Sequence, residues 1–396
     1  MLTLAAAREL LSAEARPLPA VTVSLENAVG CRLVEAPCAD IDLPPADVSV
    51  MDGYAVRTTE VAAGCRLPVV AEVRAGQPPA LLPPGTAARI FTGATIPVGA
   101  DAVIPQEQAA RRSDGTVELA PVEPGAFVRR QGELCRVGAL LASPGDEVTP
   151  QLVALLAAAG ASQIQVVPRA RVAVLSTGSE LVPIDKRPAP GQIRDSNGAM
   201  LAALAQRARF PVTLVSHAPD EPDALRAALE HALSTADLVL TSGGVSVGDY
   251  DLVPQALERA GAQLLFHRVS IKPGKPILAA RRGPAWVLGL PGNPVSALVG
   301  WRLFGRQLGQ VLSGVPGALN EQPETGTLAQ PAINDGTRTI LAPAQLQPGL
   351  PLAAVHILTW RGSHDVVAVA RASILAQLGT GMQLSPGDRV PFYRLD

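Results

Sequence analysis

A glycine-rich loop with two carboxylates is the part of this sequence that most strongly indicates chemistry. After the apolar run 238–240 the chain reads Thr-Ser-Gly-Gly-Val-Ser-Val-Gly-Asp-Tyr-Asp, ending at Asp251. Gly243 and Gly244 allow a ligand close to the backbone, and the start of a following helix favours anions. Asp249 and Asp251 would repel a bare phosphate. A divalent cation between these carboxylates and the phosphate explains why acidic residues occur in a phosphate-binding loop. The loop therefore predicts a metal-assisted phosphate or nucleotide site.

A second segment carries two cations in a stiff stretch of chain. Lys272 and Lys275 lie three residues apart, next to Pro273 and Pro276. Proline restricts the backbone, so these two point charges lose little conformational freedom when they bind an anion. The segment predicts a second anion-binding element.

Two further loops follow predicted strands. Residues 290–296 come after an apolar run and have the signals of a helix start, with Asn293 as N-cap and Pro294 at the first helical position. Glu180 lies in a similar loop after the apolar run 171–175. In an open α/β sheet such loops meet at the carboxyl ends of the strands, where ligands bind.

The elements that must position these loops follow from the apolar pattern. From Arg171 the sequence alternates predicted strands and helices, which implies a mostly parallel sheet covered on both faces. The predicted strands are 171–175, 212–216, 238–240 and 263–270, and the predicted helices are about 197–208, 221–234, 252–260 and 294–313. After Gly314 we expect short strands and no further helix.

The N-terminal part follows a different pattern. Residues 3–14 are typical of a helix, a second helix is predicted to start near Ser24, and a third runs from Pro150, with Thr149 as N-cap, to Gly160. Between the second and third helices, residues 49–122 contain short apolar runs separated by glycine and proline, which predicts a small β-rich domain.

Composition excludes several classes of function. The chain has 396 residues and a net charge of −2, which argues against nucleic acid as a partner. The four cysteines, Cys31, Cys38, Cys65 and Cys135, have no C-x-x-C spacing, so reduced thiols are expected. The N-terminus lacks the pattern of a signal peptide, and the longest apolar helical run, 152–159, is too short to span a bilayer. We expect a cytoplasmic protein that does not contact a membrane.

Residues 244–248 also match G-x-S-x-G, the nucleophile elbow of serine hydrolases. That motif needs a strand that runs directly into the serine, but residues 241–244 separate Ser246 from the predicted strand. The histidines are also badly placed, since His267 lies in a predicted strand. A serine hydrolase that uses Ser246 is therefore a remote alternative.

Several motifs occur together along nearly the whole chain. They are residues 51–55, 91–94, 176–178 with Glu180, 241–248, 272–276, 291–296 and 362–364. In this order the set resembles the molybdopterin molybdenumtransferase family, the molybdenum-insertion enzymes related to the E domain of gephyrin.

The resemblance implies an α/β multidomain fold with four regions. These are an elongated helical region (1–45 with 123–168), a β-rich insertion domain (46–122), a central, mostly parallel α/β domain that binds molybdopterin (169–314), and a small C-terminal β domain (315–396). It also implies a homodimer, and further partners among cofactor-biosynthesis proteins are an open expectation. The implied substrates are adenylated molybdopterin and molybdate, and Mg²⁺-dependent cleavage with release of AMP is coupled to metal insertion.

The resemblance also assigns roles to individual residues. Asp52, Glu180 and Asp251 would be catalytic, with Glu180 and Asp251 as Mg²⁺ ligands. Lys272 would face phosphate, and Asp52 and Thr92 would complete the site from the other subunit. Molybdate would be held by Lys275, Ser296, Arg338 and Ser363. The other substrate-binding residues would be Asp220, Ser242, Gly243, Gly244, Ser246, Pro276 and Asn293.

One position departs from the family pattern. After paired arginines the family reads Gly-Glu-Asp, whereas this chain reads Gly132-Glu133-Leu134. The family aspartate at this position is implicated in the active site. Either Glu133 or Asp52 replaces its function, or the chain is a catalytically weakened paralogue that binds or carries the cofactor. If Leu134 is packed in a buried position beside Val137, an aspartate there would destabilise the fold.

Overall fold

The computed structural model describes residues 1–246, 252–349 and 351–395. The chain divides into two compact units, of which the first contains Met1–Val21, Gly30–Arg32 and Val166–Asp396, and the second contains Thr22–Val29 and Leu33–Gln165. The short strands Val21–Ser24, Arg32–Leu33 and Gln163–Val167 fall at the divisions between these ranges. The finer division into four regions stays a prediction.

A six-stranded sheet lies at the centre of the first unit. In spatial order its strands are Val212–Ala218, Val172–Thr177, Leu238–Ser242, Ala285–Leu290, Leu278–Arg282 and Gln263–His267. The first four strands are parallel, Leu278–Arg282 is antiparallel to them, and Gln263–His267, which is antiparallel to Leu278–Arg282, runs in the same direction as the first four. The predicted mostly parallel sheet is confirmed.

Both faces of this sheet are buried because side chains alternate along each strand. Val174 and Leu240 enter one hydrophobic core together with Leu201 of the helix Ser196–Arg207. Leu175 and Val239 enter a second core, which includes residues of the helix Pro222–Thr235. The loops at the strand ends are therefore held on a rigid, fully packed layer.

The other described helices of the first unit are Leu4–Glu14, Val253–Arg259, Pro294–Gly300, Arg306–Leu312 and Val366–Arg371. A π-helical turn, Trp301–Gly305, joins two of them, so the helix predicted at 294–313 is nearly continuous. The expectation that no helix follows Gly314 is wrong. Asp365 caps the helix Val366–Arg371 by accepting a hydrogen bond from the Ala368 N–H at 3.0 Å, which satisfies a backbone donor in the first helical turn.

A second, barrel-like sheet follows in the same unit. Its strands, in order, are Ile271–Lys272, Thr339–Gln347, Ala354–Ile357, Glu324–Leu328, Arg389–Arg394 and Ile374–Leu378. Thr339–Gln347 also pairs with Ile374–Leu378, which closes the sheet on itself. Two small ribbons complete the unit, Leu181–Val182 with Ile193–Arg194 and Ala332–Asn334 with Met382–Leu384.

The strand predicted at 263–270 is shorter than expected. It ends at His267, and Arg268 has a φ of +77°, which breaks the extended conformation. The chain then enters the barrel-like sheet at Ile271–Lys272. Lys272 therefore belongs to the second sheet and not to the central one.

The second unit is built on a six-stranded sheet, as the β-rich pattern predicts. Its strands, in order, are Ala102–Pro105, Gly53–Val56, Ala87–Ile90, Cys65–Val73, Thr116–Leu119 and Ala109–Arg111. The second unit also contains a short pair, Val48–Ser49 with Val128–Arg129, the α-helices Leu25–Ala28 and Pro150–Ala158, and the 3-10 helices Thr58–Glu60 and Gln106–Gln108. Throughout the described parts of both units, no helix combines the length and apolar character needed to cross a membrane.

Candidate active site

A cavity of about 500 Å³ lies at the carboxyl ends of the parallel strands in the first unit. Thr177 and Ser242 are the last residues of two of these strands, and both line the cavity. Asp220 and Gly292, which follow two other strands, line it as well. The cavity therefore has the position expected of a ligand site in an open α/β sheet.

The described part of the glycine-rich loop forms one wall of this cavity. Gly243 has a φ of +101°, and a Cβ there would overlap with the carbonyl oxygen of Thr177. Glycine is therefore required by backbone geometry and close packing. The Gly243 N–H donates to the Leu290 carbonyl at 3.0 Å, so this particular N–H is already used within the protein. Asp251, with Gly248 and Asp249, lies outside the described residues.

Three carboxylates line the cavity, and two of them are fixed by backbone N–H groups. Asp220 accepts a hydrogen bond from the Ser179 N–H at 3.0 Å, and Asp195 accepts one from the Gly198 N–H at 2.8 Å. Glu180 lies over Gly178, where a Cβ would crowd the carboxylate. Of the predicted acidic residues, the structure thus brings Glu180 and Asp220 to one cavity.

Asn197 also lines the cavity, although sequence reasoning missed it. Its Nδ2 donates to Ser242 Oγ at 2.9 Å and to the Gly292 carbonyl at 2.7 Å. Its Oδ1 is buried and has no hydrogen-bond partner among the described residues, and the same holds for Thr177 Oγ1. The residue is 7% exposed, so it ties two loops together while leaving an acceptor at the cavity wall.

The predicted cations are gathered at a different place in the first unit. Ile271 pairs with Thr339 and Lys272 with Ile340 in parallel register, so Arg338 immediately precedes the strand that lies beside Lys272. Arg338 Nη1 donates to the Ile271 carbonyl at 3.3 Å. Lys272 and Lys275 are exposed, and none of the three cations pairs with a carboxylate in the described parts of the chain. We call Lys272, Lys275 and Arg338 the basic segment.

Ser296 and Ser363 are joined through the backbone. The Val295 N–H donates to the Ser363 carbonyl at 3.0 Å, and Ser296 is buried in the first turn of the helix Pro294–Gly300. A Cβ on Gly300 would touch Ile277, so this helix packs closely against the chain that follows Lys275 and the half-buried Pro276. The contact joins the helix that contains Ser296 to the chain just after Lys275.

Asn293 and Ser246 lie on two of the loops that follow parallel strands. Asn293 lines the cavity and occupies the N-cap position, but its side chain makes no capping hydrogen bond. Ser246 is exposed and does not follow a strand directly, because the preceding strand ends at Ser242. Its neighbour Val245 accepts a hydrogen bond from His267 Nε2 at 2.7 Å, which occupies that ring nitrogen. The geometry gives the serine hydrolase alternative no support.

In the second unit, Asp52 and Thr92 are direct partners. Asp52 Oδ1 accepts hydrogen bonds from the Thr92 N–H and hydroxyl, both at 2.8 Å. These two bonds, first the backbone and then the side-chain one, lower the pKa of Asp52 below its ordinary value. A Cβ on the adjacent Gly53 would overlap with the Ile104 carbonyl, so the turn that presents Asp52 requires glycine.

Leu134 is not packed beside Val137. Its side chain is 69% exposed and that of Val137 is 61% exposed. The interpretation of Leu134 as a buried residue is therefore wrong. Glu133 accepts a hydrogen bond from the Arg130 N–H at 2.9 Å, so the neighbouring acid is held in the turn.

Comparison with known proteins agrees with this architecture. The family described as "MoeA N-terminal region (domain I and II)" matches residues 2–160, and the one described as "Probable molybdopterin binding domain" matches residues 173–310. A molybdopterin molybdenumtransferase from Synechococcus elongatus is 40% identical over 323 residues, covering 77% of this chain and 79% of the relative. One from Staphylococcus aureus is 33% identical over 374 residues, covering 92% and 88%.

A solved structure extends this similarity to the whole chain. The molybdopterin biosynthesis MoeA protein from Pyrococcus horikoshii superimposes with a TM-score of 0.80 at 29% identity, covering 100% of this chain and 99% of that one.

The fold and the cavity define a class of multidomain α/β proteins with a ligand site at the carboxyl ends of parallel strands. The chain belongs to the molybdopterin molybdenumtransferase family. The family resemblance seen in the sequence is thereby confirmed.

Proposed function

We propose that this protein transfers molybdenum from molybdate to adenylated molybdopterin, with Mg²⁺-dependent release of AMP. The observation that carries the proposal is the distribution of charge in the first unit: three carboxylates line the cavity together with Arg194, whereas Lys272, Lys275 and Arg338 form the basic segment. A nucleotide with its metal requires carboxylates, whereas a small dianion such as molybdate requires Lys, Arg and hydroxyl donors. The two sets of residues match the two substrates.

The cavity residues fit a magnesium ion that arrives with phosphate. Among the described residues no group of three or more His, Cys, Asp or Glu side chains could hold a metal by itself. Magnesium is commonly held by one or two carboxylates plus substrate phosphates, so Glu180 with Asp251 is a sufficient protein contribution. When bound, Mg²⁺ would neutralise phosphate charge. Asp220 and Asn197 would position the loops around the nucleotide.

Molybdate would be bound by the basic segment together with Ser296 and Ser363. Exposed lysines can adapt to a tetrahedral oxyanion, and Arg338 is oriented by its bond to the Ile271 carbonyl. Lys272 would face the phosphate, which would bring the two substrates together between the cavity and the basic segment.

The proposal includes a homodimer in which Asp52 and Thr92 of one subunit complete the site of the other. Its support is the family resemblance and the hydrogen bonds that join Asp52 and Thr92 as direct partners. The second candidate function, a paralogue that binds or carries the cofactor, is favoured only by Leu134 in place of the family aspartate.

The decisive experiment is to incubate the purified protein with adenylated molybdopterin, molybdate and Mg²⁺ and to measure AMP by chromatography. We expect AMP release that requires both molybdate and Mg²⁺. Tight binding of adenylated molybdopterin without AMP release would instead identify the carrier.

A further inference from the structure

A second cavity of the first unit is lined by a buried arginine. It has a volume of about 410 Å³ and shares no lining residue with the candidate active site. Its walls include Arg8, Glu9, Gln322, Gln377 and Tyr393. Arg8, on the helix Leu4–Glu14, is only 9% exposed. None of these residues has a role in the proposed function.

The Arg8 guanidinium is bonded only to neutral groups. Nε donates to the Leu303 carbonyl at 3.4 Å, and Nη1 donates to the Glu321 carbonyl at 3.2 Å and to the Tyr393 hydroxyl at 3.5 Å. The guanidinium carbon also lies 5.4 Å from the centre of the Tyr393 ring. Nη2 has no hydrogen-bond partner within the part of the chain that the structure describes.

The nearby carboxylate is already used by another buried arginine. Arg302, which is 3% exposed, donates to both Glu321 oxygens, at 2.7 and 2.6 Å. Gln307 Nε2 donates to the same carboxylate at 2.7 Å. Arg8 therefore adds a buried positive charge without a bonded counter-ion, and such a charge favours an anion beside it.

The cavity offers an acceptor as well as a cation. Gln377 Oε1 is buried and has no hydrogen-bond partner among the described residues. Glu9, which is exposed, is the carboxylate among the lining residues. A ligand that satisfies both unpartnered groups needs an oxyanion for Arg8 and an N–H donor for Gln377.

We propose that this cavity binds a small carboxylate that carries a neighbouring N–H group, as amino acids and N-acyl amino acids do. Arginine matches a carboxylate with parallel hydrogen bonds, and a cavity of about 410 Å³ is within the range of small-molecule sites. Nη2 and Oε1 are both nearly inaccessible, so binding requires a small shift of these two flexible side chains.

The test uses N-acetylglycine, its methyl ester and acetate as probes of the full-length protein, with binding measured by ligand-observed NMR titration. N-acetylglycine should bind saturably, acetate about ten times more weakly because it lacks the N–H group, and the uncharged ester should not bind. Sulfate is a fourth probe. If it binds as well as N-acetylglycine, the assignment to a carboxylate is wrong.

Three variants locate the site. Arg8→Met should abolish binding of N-acetylglycine, whereas Arg16→Met, at an exposed arginine just after the same helix, should leave it unchanged. Gln377→Met retains the cation and should reduce the preference for N-acetylglycine over acetate to near unity. Thermal unfolding confirms that each variant is folded.

A folded Arg8→Met protein that binds N-acetylglycine like wild type would overturn the proposal. If Arg8→Met does not fold, the test is the preference of the Gln377→Met protein for N-acetylglycine over acetate. A preference equal to that of wild type would reject the proposed site. AMP release by Gln377→Met should equal that of wild type, so failure of this proposal is distinguishable from failure of the proposed function.

Discussion

The carboxylates of the candidate active site and the cations of the basic segment differ in how they are held. Asp195 and Asp220 are fixed by backbone N–H groups at 2.8 and 3.0 Å, whereas Lys272 and Lys275 are exposed on flexible side chains. Asp195 and Asp220 therefore hold the loops around the cavity in a fixed geometry, whereas an ammonium group is a point charge that adapts to an oxyanion. A fixed wall suits the bulky nucleotide of the proposed reaction, and adaptable donors suit molybdate.

The largest effect is expected at the carboxylate side. Glu180→Gln should lower AMP release at limiting Mg²⁺ by about 10- to 150-fold, because a hydrogen bond or contact with a charged group contributes roughly 1.5–3 kcal/mol. Asp185→Asn, at an exposed carboxylate nearby in sequence, is the control. If Glu180→Gln instead raises the molybdate concentration for half-maximal activity, the cavity carboxylates serve molybdate and the assignment of substrates to the cavity and the basic segment is reversed.

Asn197→Ala should cost about 1–3 kcal/mol of unfolding free energy, because Ser242 and the Gly292 carbonyl lose their donor inside the protein. Chemical denaturation measures this change. Gln206→Ala, which removes an exposed side-chain amide from the same helix, is the control and should leave the stability nearly unchanged. An Asn197→Ala protein as stable as wild type would mean that Asn197 does not hold the cavity loops together.

Lys275→Ala should raise the molybdate concentration for half-maximal activity about tenfold, roughly 1.4 kcal/mol, and leave the affinity for adenylated molybdopterin nearly unchanged. A small oxyanion makes few contacts, so one lost cation removes much of its binding energy. Lys186→Ala, at another exposed lysine, is the control. Equal losses of affinity for molybdate and for adenylated molybdopterin would mean that the basic segment does not bind molybdate separately from the nucleotide.

In the second unit, Thr92→Val should raise the pKa of Asp52 toward the ordinary value, because it deletes the hydroxyl bond and keeps the backbone one. Since the folded-state pKa is lowered, this bond stabilises the fold above the unfolded-state pKa and its contribution is lost as the pH falls through the folded-state pKa. A carboxyl ¹³C NMR titration measures the shift. An unchanged pKa would show that the backbone bond alone sets it.

Leu134→Asp should change stability least, by less than about 0.5 kcal/mol, because the side chain is 69% exposed. If the absent family carboxylate limits catalysis, the variant should release AMP faster. Val137→Asp, at a side chain that is 61% exposed, controls for added charge. A folded Leu134→Asp protein with no gain in rate would mean that Asp52 and Glu133 suffice.

Sequence reasoning succeeded where a local pattern determines the structure. The strand-to-loop pattern put Gly243 and Glu180 at the ends of parallel strands, and both residues line the cavity there, while their roles stay predictions. Alternating strands and helices also predicted the central sheet.

Sequence reasoning failed where contacts between residues that are distant in the sequence determine the position of a side chain. Asn197 follows Asp195 and Ser196 in what reads as an ordinary helix start, and only the fold brings it to Gly292. Arg8 lies in an alanine- and leucine-rich helix, where nothing local indicates that it will be buried against Tyr393. The helix Val366–Arg371 has only six residues and begins with two valines, which have low helix propensity, so the sequence gives little sign of it besides the cap by Asp365.

The pairing of Ile271–Lys272 with Thr339–Gln347 has a consequence for dividing the protein into pieces. The chain leaves the central sheet at His267 and reaches the barrel-like sheet only four residues later. Cutting the chain near residue 314 would therefore strip Ile271–Lys272 of its neighbour and expose an open strand edge, a surface on which chains aggregate. A domain boundary in the sequence of this fold is therefore not a place where the chain can be cut into two intact pieces.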